Sequence, residues 1–166
     1  MMIIYKSIFL GFALLLGVYD SNISDICSLV PDTQIQEILG WDGPISKSDD
    51  SFRRVQMCTL SHGEETLTIR KNVVREKAKK NNPDRLKNSF QKYLVEGENH
   101  LSYTSIQSGT NEIIFGEGAM DYGLHNYIMR YRHTNDYELI LEFSGPGKDV
   151  TGLKEKLKAL MDSIQK

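Results

Sequence analysis

The chain has 166 residues, of which 25% are charged and 40% are hydrophobic, a balance typical of a folded globular protein rather than a disordered one. Its formal net charge of −2 argues against a nucleic-acid-binding protein, because such domains are usually strongly basic.

The N-terminal segment predicts export. Lys6 precedes an apolar run over residues 7–18. This run matches the hydrophobic part of a signal peptide, and it is shorter than the roughly 20 residues that cross a bilayer. A short membrane anchor is the alternative. We expect residues 1–21 to be removed, by cleavage after Gly17 or near Ser21. Residues 22–166 would then form one domain without a transmembrane helix, in a bacterial periplasm or outside the cell.

The two cysteines, Cys27 and Cys58, predict one structural disulfide. An exported chain meets an oxidising compartment, where an even number of cysteines usually forms bridges. No Cys-x-x-Cys motif suggests redox catalysis, and two cysteines alone do not make a zinc site.

A first helix is predicted from Pro31, with Asp32 in its first turn, to Leu39, with Gly40 just past its end. This order of proline, acid and glycine is the usual asymmetry of helix ends. Residues 41–52 are mostly polar and predict a loop.

A β-hairpin is predicted next, from strands over residues 54–60 and 65–71 around a two-residue loop at His62 and Gly63. This loop pairs Cys58 with Leu67. Because Leu67 alternates with polar neighbours, both residues are expected on the buried face of the sheet. The disulfide would therefore link the first helix to the core side of the sheet.

A second helix is predicted from residue 82 to residue 95, and an earlier start near Val74 with a break at Pro83 is the alternative. Strands over residues 101–107 and 111–116 follow. The glycines at positions 116 and 118 are then expected in a tight turn rather than in a phosphate-binding loop.

A long hairpin follows, with arms over residues 123–133 and 137–144 and a three-residue loop at 134–136. This loop length pairs Tyr131 with Leu139 on the inner face. The other face pairs arginines with glutamates and is expected to be exposed. Its residues are Arg130, Arg132, Glu138 and Glu142. The apolar spacing of residues 149–164 predicts a last helix.

The whole pattern predicts an α+β fold with an antiparallel sheet of about five or six strands flanked by three helices. The chain also resembles uncharacterised bacterial secreted proteins and lipoproteins with a PsbP-like sandwich. The shared motifs are Cys27-Ser28-Leu29-Val30, Leu39-Gly40, Cys58 on the first strand, and Gly116-Glu117-Gly118-Ala119-Met120, which is one residue short of the family spacing. The resemblance implies this fold and a disulfide, and it implies no reaction.

No catalytic, metal or cofactor site is predicted. Glu96, Glu98 and His100 alternate and could bind a divalent metal, but a solvated segment after a helix explains them better. His62 and His133 belong to turns, and His125 begins a strand.

The strongest candidate site is the basic stretch over residues 71–87, which could bind an anionic surface. Its candidate residues are Lys71, Arg75, Lys77, Lys79 and Lys80. The alternative is a solvated charged segment. We therefore expect a non-enzymatic module that binds a protein, an envelope component or a small ligand. A hydrolase-type enzyme built from distant residues and a structural envelope component are the other hypotheses.

Overall fold

The computed structural model describes residues 26–119, 124–146 and 150–165. The predicted export signal, residues 1–21, lies outside them. Within the described residues, no helix is long and apolar enough to span a membrane.

One antiparallel sheet organises the described chain, with the strand order β1-β2-β3-β7-β6-β5-β4. The strands are β1 (Ser46–Asp49), β2 (Val55–His62), β3 (Glu65–Val73), β4 (Ser102–Gln107), β5 (Asn111–Ala119), β6 (Leu124–His133) and β7 (Tyr137–Pro146). The helices are α1 (Asp32–Leu39), α2 (Glu76–Asn81), α3 (Arg85–Glu96) and α4 (Val150–Ile164), with a 3₁₀ turn at Ile26–Ser28 before α1. The α+β class is confirmed.

The predicted numbers of strands and helices were too low. The described residues contain seven strands, because β1 lies in the segment predicted as a loop. All four β1 residues are exposed, so the strand has no apolar alternation to reveal it. They contain four α-helices rather than three, because residues 82–84 around Pro83 separate α2 from α3. Proline disrupts the interior of a helix by removing a hydrogen bond and clashing with the preceding turn.

Helices cover both faces of the sheet. The larger core packs α1, α4 and the 3₁₀ turn against one face, where Cys58, Ile69, Met129 and Leu141 are almost fully buried. The smaller core lies on the other face, where Phe90 of α3 packs with apolar residues of the sheet. These are Leu101, Tyr103, Ile114, Ile128 and Ile140.

The long hairpin has the predicted register, with Tyr131 opposite Leu139 across the loop at 134–136. The first hairpin is shifted by two residues from its predicted register. Its turn is formed by Gly63 and Glu64, so that Leu60, rather than Cys58, lies opposite Leu67. Gly63 has φ 60°, as required at the first central position of a type II′ turn. A shift of two residues preserves which side chains face the core.

Gly116 and Gly118 lie inside β5, so the turn predicted there was wrong. A Cβ atom at Gly116 would lie 2.6 Å from the ring of Tyr103, and one at Gly118 would lie 2.8 Å from the Leu101 side chain. Glycine is required at these positions because side chains before and within β4 cross the strand closely.

The disulfide joins Cys27 in the 3₁₀ turn to Cys58 on β2, with 5.2 Å between the two Cα atoms. Cys58 is fully buried, so the bridge links the segment before α1 to the core face of the sheet. Lys47 of β1 donates to the Cys27 carbonyl oxygen at 3.4 Å and forms an ion pair with Asp32. The edge strand is therefore attached to the same segment.

Reduction of this disulfide is expected to lower the free energy of unfolding by about 3–4 kcal/mol, because the closed loop restricts the unfolded chain. Urea unfolding of the oxidised and reduced wild-type protein measures the difference without removing an atom from the core. Equal midpoints in the two states would contradict the expected stabilisation.

Candidate functional site

A groove is lined by five basic side chains from three segments of the chain, and we call it the basic groove. Arg53 and Arg54 come from the turn before β2, Arg75 and Lys77 from the start of α2, and Arg85 from the first residue of α3. The cavity has a volume of about 830 Å³. Its lining also includes the exposed apolar side chains of Phe52, Val55 and Val73.

The basic side chains of the groove are uncompensated. None of the five forms an ion pair with another described residue. Arg53 instead lies over the ring of its neighbour Phe52, with 4.9 Å from the guanidinium carbon to the ring centroid. Lysine and arginine stay charged at neutral pH, so the groove attracts anions across the physiological range.

Only two of the five residues predicted as an anion-binding surface line the groove, namely Arg75 and Lys77. Lys79 is held by Asp136 and by Glu76, each at 2.7 Å. The hydrogen bond from Lys79 to Asp136 is the main cause of a raised pKa at Lys79. Lys71 lies over the ring of Tyr137 at 4.6 Å, and Lys80 is exposed outside the groove lining.

The turn that contributes Arg53 and Arg54 has an unusual backbone. Phe52 and Val55 exchange backbone hydrogen bonds of 2.8 and 3.0 Å, which close a two-residue turn around the arginines. Arg53 has φ 57°, in the left-handed region that glycine or asparagine normally occupies. Such a conformation costs about 1–2 kcal/mol for a residue with a Cβ atom.

The hairpin turn at 134–136 holds the α2 and α3 side of the groove in place. The Asn135 side-chain oxygen accepts a hydrogen bond from the Leu86 amide at 3.0 Å, at the start of α3. The Asp136 carbonyl oxygen accepts one from the Val74 amide at 2.8 Å, just before α2. Together with the Lys79–Asp136 ion pair, these bonds connect both helices to the centre of the sheet.

A buried arginine network lies beneath the groove. Arg130 of β6 is 4% exposed and donates to Glu138 of β7 at 2.8 Å, and it also pairs with Glu98. Its guanidinium carbon lies 4.4 Å from the centroid of the Tyr93 ring on α3. Its Nε atom donates to the Tyr103 hydroxyl at 3.3 Å. Burial is the largest single influence and lowers the pKa of Arg130. The charge of Glu138, together with the charges of Tyr103 and Tyr93 and the hydrogen bond to Tyr103, outweighs burial, so the pKa is raised.

The network corrects one prediction about the sheet. The face with Arg130, Arg132 and Glu138 was expected to be exposed, but each of these residues is at most 7% exposed. Arg132 and Glu138 are opposite each other in the register, as predicted, but they do not form an ion pair with each other, because Glu138 pairs with Arg130. Arg132 pairs with Glu112 at 3.0 Å instead. Helix α3 and the following segment cover this face, and sequence alternation does not reveal that cover.

Glu138 is the acidic residue among those that line the basic groove. Its carboxylate is already occupied by Arg130 and accepts a further hydrogen bond from Asn72 at 3.3 Å. The positive charge of the five groove cations is therefore not neutralised from below.

A second cavity of about 650 Å³ lies near Arg132 and is a weaker candidate. The Arg132 guanidinium donates to Glu112, to the Thr110 carbonyl oxygen at 2.8 Å and to the Gly109 carbonyl oxygen at 2.6 Å. These bonds use its donors within the protein, so they fix a loop and leave little for a ligand.

Several of the other sequence candidates have structural partners. Glu98 binds Arg130, and His62, His125 and His133 each stack on an aromatic ring. No group of three histidine, cysteine, aspartate or glutamate side chains that could hold a metal ion occurs in residues 26–119, 124–146 and 150–165.

Comparisons with known proteins assign no function to the groove. No protein-family model matches the chain, and no curated protein matches its sequence. Among solved structures, one neighbour is the extracellular domain of PknH from Mycobacterium tuberculosis, with 9% sequence identity and a TM-score of 0.49. The match covers 86% of this chain and 96% of that one. A likeness this distant identifies neither a family nor a function.

Replacement of Arg130 by methionine is expected to lower the free energy of unfolding by about 3–5 kcal/mol, because it leaves Glu138 buried without its cation. The double variant Arg130→Met/Glu138→Gln is expected to be more stable than Arg130→Met alone. Urea unfolding of both singles and the double gives the coupling energy. The exposed Lys92→Met is the control, and strictly additive losses would contradict a buried ion pair.

The stability of the protein is expected to fall between pH 10 and pH 12 through Tyr103. Burial is the largest influence on this phenol and raises its pKa to about 12, although the Arg130 charge opposes the shift. The unfolded chain ionises its tyrosines near pH 10, so the stabilisation is complete below pH 10 and disappears as the pH rises through 12. Unfolding of wild type and Tyr103→Phe across this range should show a shrinking difference in stability. Parallel curves would exclude the shift.

Proposed function

We propose that the protein is an exported, non-enzymatic binding module whose basic groove binds anionic groups of its ligand or partner. The observation that carries this proposal is the convergence of five unpaired cations, from three separate segments, on one cavity. The N-terminal apolar segment and the Cys27–Cys58 bridge support export.

Charge-assisted hydrogen bonds are the chemistry that this groove offers. Arginine presents planar, paired donors that match phosphate and carboxylate oxygens. Four of the five cations that line the groove are arginines. The groove therefore suits a ligand with several anionic oxygens close together. The PsbP-like sandwich stays part of this proposal, because that class of fold is known for binding and assembly subunits. The hydrolase and the structural envelope component stay hypotheses that no described contact favours.

Inositol hexakisphosphate is a suitable soluble probe, because it carries many phosphate groups without an apolar part. The double variant Arg75→Gln/Lys77→Gln is expected to weaken its binding roughly tenfold, since both side chains are exposed and each ion pair lost at an exposed site costs about 0.2–1 kcal/mol. Titration calorimetry measures the affinity, which should also fall with added salt. The exposed Lys92→Gln, outside the groove, is the matched control. Equal losses in both variants would contradict a site at the groove.

Arg53→Gly separates binding from folding. Glycine adopts the positive φ of Arg53 without a Cβ clash, and its greater freedom in the unfolded chain offsets part of that gain. The free energy of unfolding should therefore stay within about 1 kcal/mol of the wild type. The affinity for inositol hexakisphosphate should nevertheless fall, because one cation has been removed. An unchanged affinity would remove Arg53 from the site.

A further inference from the structure

The apolar side chains at the groove extend the proposal to a particular kind of partner. Four large apolar side chains are strongly exposed in the described part of the chain, and three of them line the basic groove. Phe52 is 66% exposed, Val73 is 45% exposed and Val55 is 38% exposed. An isolated exposed apolar residue is ordinary, but a group of them in one cationic groove marks an interaction surface.

The apolar and the cationic residues are neighbours along the chain. The turn before β2 has the order Phe52-Arg53-Arg54-Val55, and the end of β3 leads from Val73 to Arg75. Each apolar side chain thus lies within two residues of a cation. This mixture is typical of segments that enter the interfacial region of a bilayer, where apolar groups are buried and cations meet lipid phosphates.

We propose that the basic groove docks on the surface of a bilayer that contains anionic phospholipid. Phe52 enters the interfacial region, and Arg53, Arg54 and Arg75 bind lipid phosphates. This inference rests on the proposed function and names its partner.

The pattern fits a lipid surface better than an acidic protein. Arginine and aromatic residues are enriched in protein–protein interfaces as well, but such interfaces usually have an apolar core from which most charges are depleted, surrounded by a polar rim. Here the exposed apolar residues are flanked by arginines, and no charge-free centre separates them. An anionic bilayer offers phosphates and an apolar layer together, so it complements both the cations and the apolar side chains of this surface.

The turn is also held ready for docking. The two hydrogen bonds between Phe52 and Val55 fix its shape, and the Arg54 carbonyl oxygen accepts a hydrogen bond from the Val73 amide at 3.2 Å. The tip is thereby attached to the end of β3. A surface that is already ordered loses little conformational entropy when it binds.

Vesicle binding tests the proposal directly. The protein is used in the form that an export-competent host secretes, and mass spectrometry first determines its N-terminus. Two kinds of vesicle are compared, one of phosphatidylcholine alone and one with roughly one-third phosphatidylglycerol, which supplies the negative surface. The wild type should sediment with the anionic vesicles only. Phe52→Ser should weaken this association about tenfold, and Arg53→Gly about fivefold. Val95→Ser is the apolar control, because Val95 is 83% exposed on α3 outside the groove lining.

Fluorescence locates the contact independently. In Phe52→Trp the new indole should shift its emission to the blue on anionic vesicles, whereas Val95→Trp should not. The single native tryptophan, Trp41, is buried and supplies a constant background.

The outcomes distinguish this inference from the function on which it rests. If Phe52→Ser binds anionic vesicles as well as the wild type, or if Phe52→Trp shows no blue shift there, the lipid surface is excluded. If the protein binds inositol hexakisphosphate or polyglutamate but no vesicles, the groove binds anions and the lipid inference is wrong. If it binds none of these probes, the proposed function fails as well.

Discussion

The ion pairs and hydrogen bonds of the buried Arg130 guanidinium hold together the sheet face that α3 covers. The guanidinium binds Glu138 on the neighbouring strand, Glu98 after α3 and the Tyr103 hydroxyl on β4, so three parts of the chain meet at one cation. A buried charge is tolerated only when it is paired and hydrogen-bonded, and here the pairing is made across elements that are distant in sequence. Because Glu138 is used in this way, the groove above it keeps its positive charge. The interior of the protein thus determines the electrostatics of its surface.

The sequence predicted those features of the fold that depend on local periodicity. The β6–β7 hairpin was placed in register because Tyr131 and Leu139 have to face the same core. Helix α1 was placed by its proline start and by Gly40, which has φ 77° at the end of the helix. Strand β1 was missed because its pairing with β2 is made by the backbone alone. The burial of Arg130 was missed because cover by α3 depends on contacts between distant elements.

The candidate site was predicted only in part for the same reason. Arg75 and Lys77 were recognised from a run of basic residues, but that run did not distinguish them from Lys79, which Asp136 binds. Arg53 and Arg54 were missed because they belong to a different segment, and only the pairing of β2 with β3 brings them to α2. A signal was available, since two adjacent arginines precede β2 just as the basic run follows β3. In an antiparallel hairpin, the start of one strand lies beside the end of the next.

The backbone at Arg53 has a consequence for the evolution of the protein. Drift under selection for folding alone would favour glycine or asparagine there, because either residue adopts a positive φ more readily. We therefore expect homologues whose groove still binds anions to retain arginine at this position. Homologues that have lost this binding are expected to have glycine or asparagine there. A single position in the turn would then record the history of the whole surface.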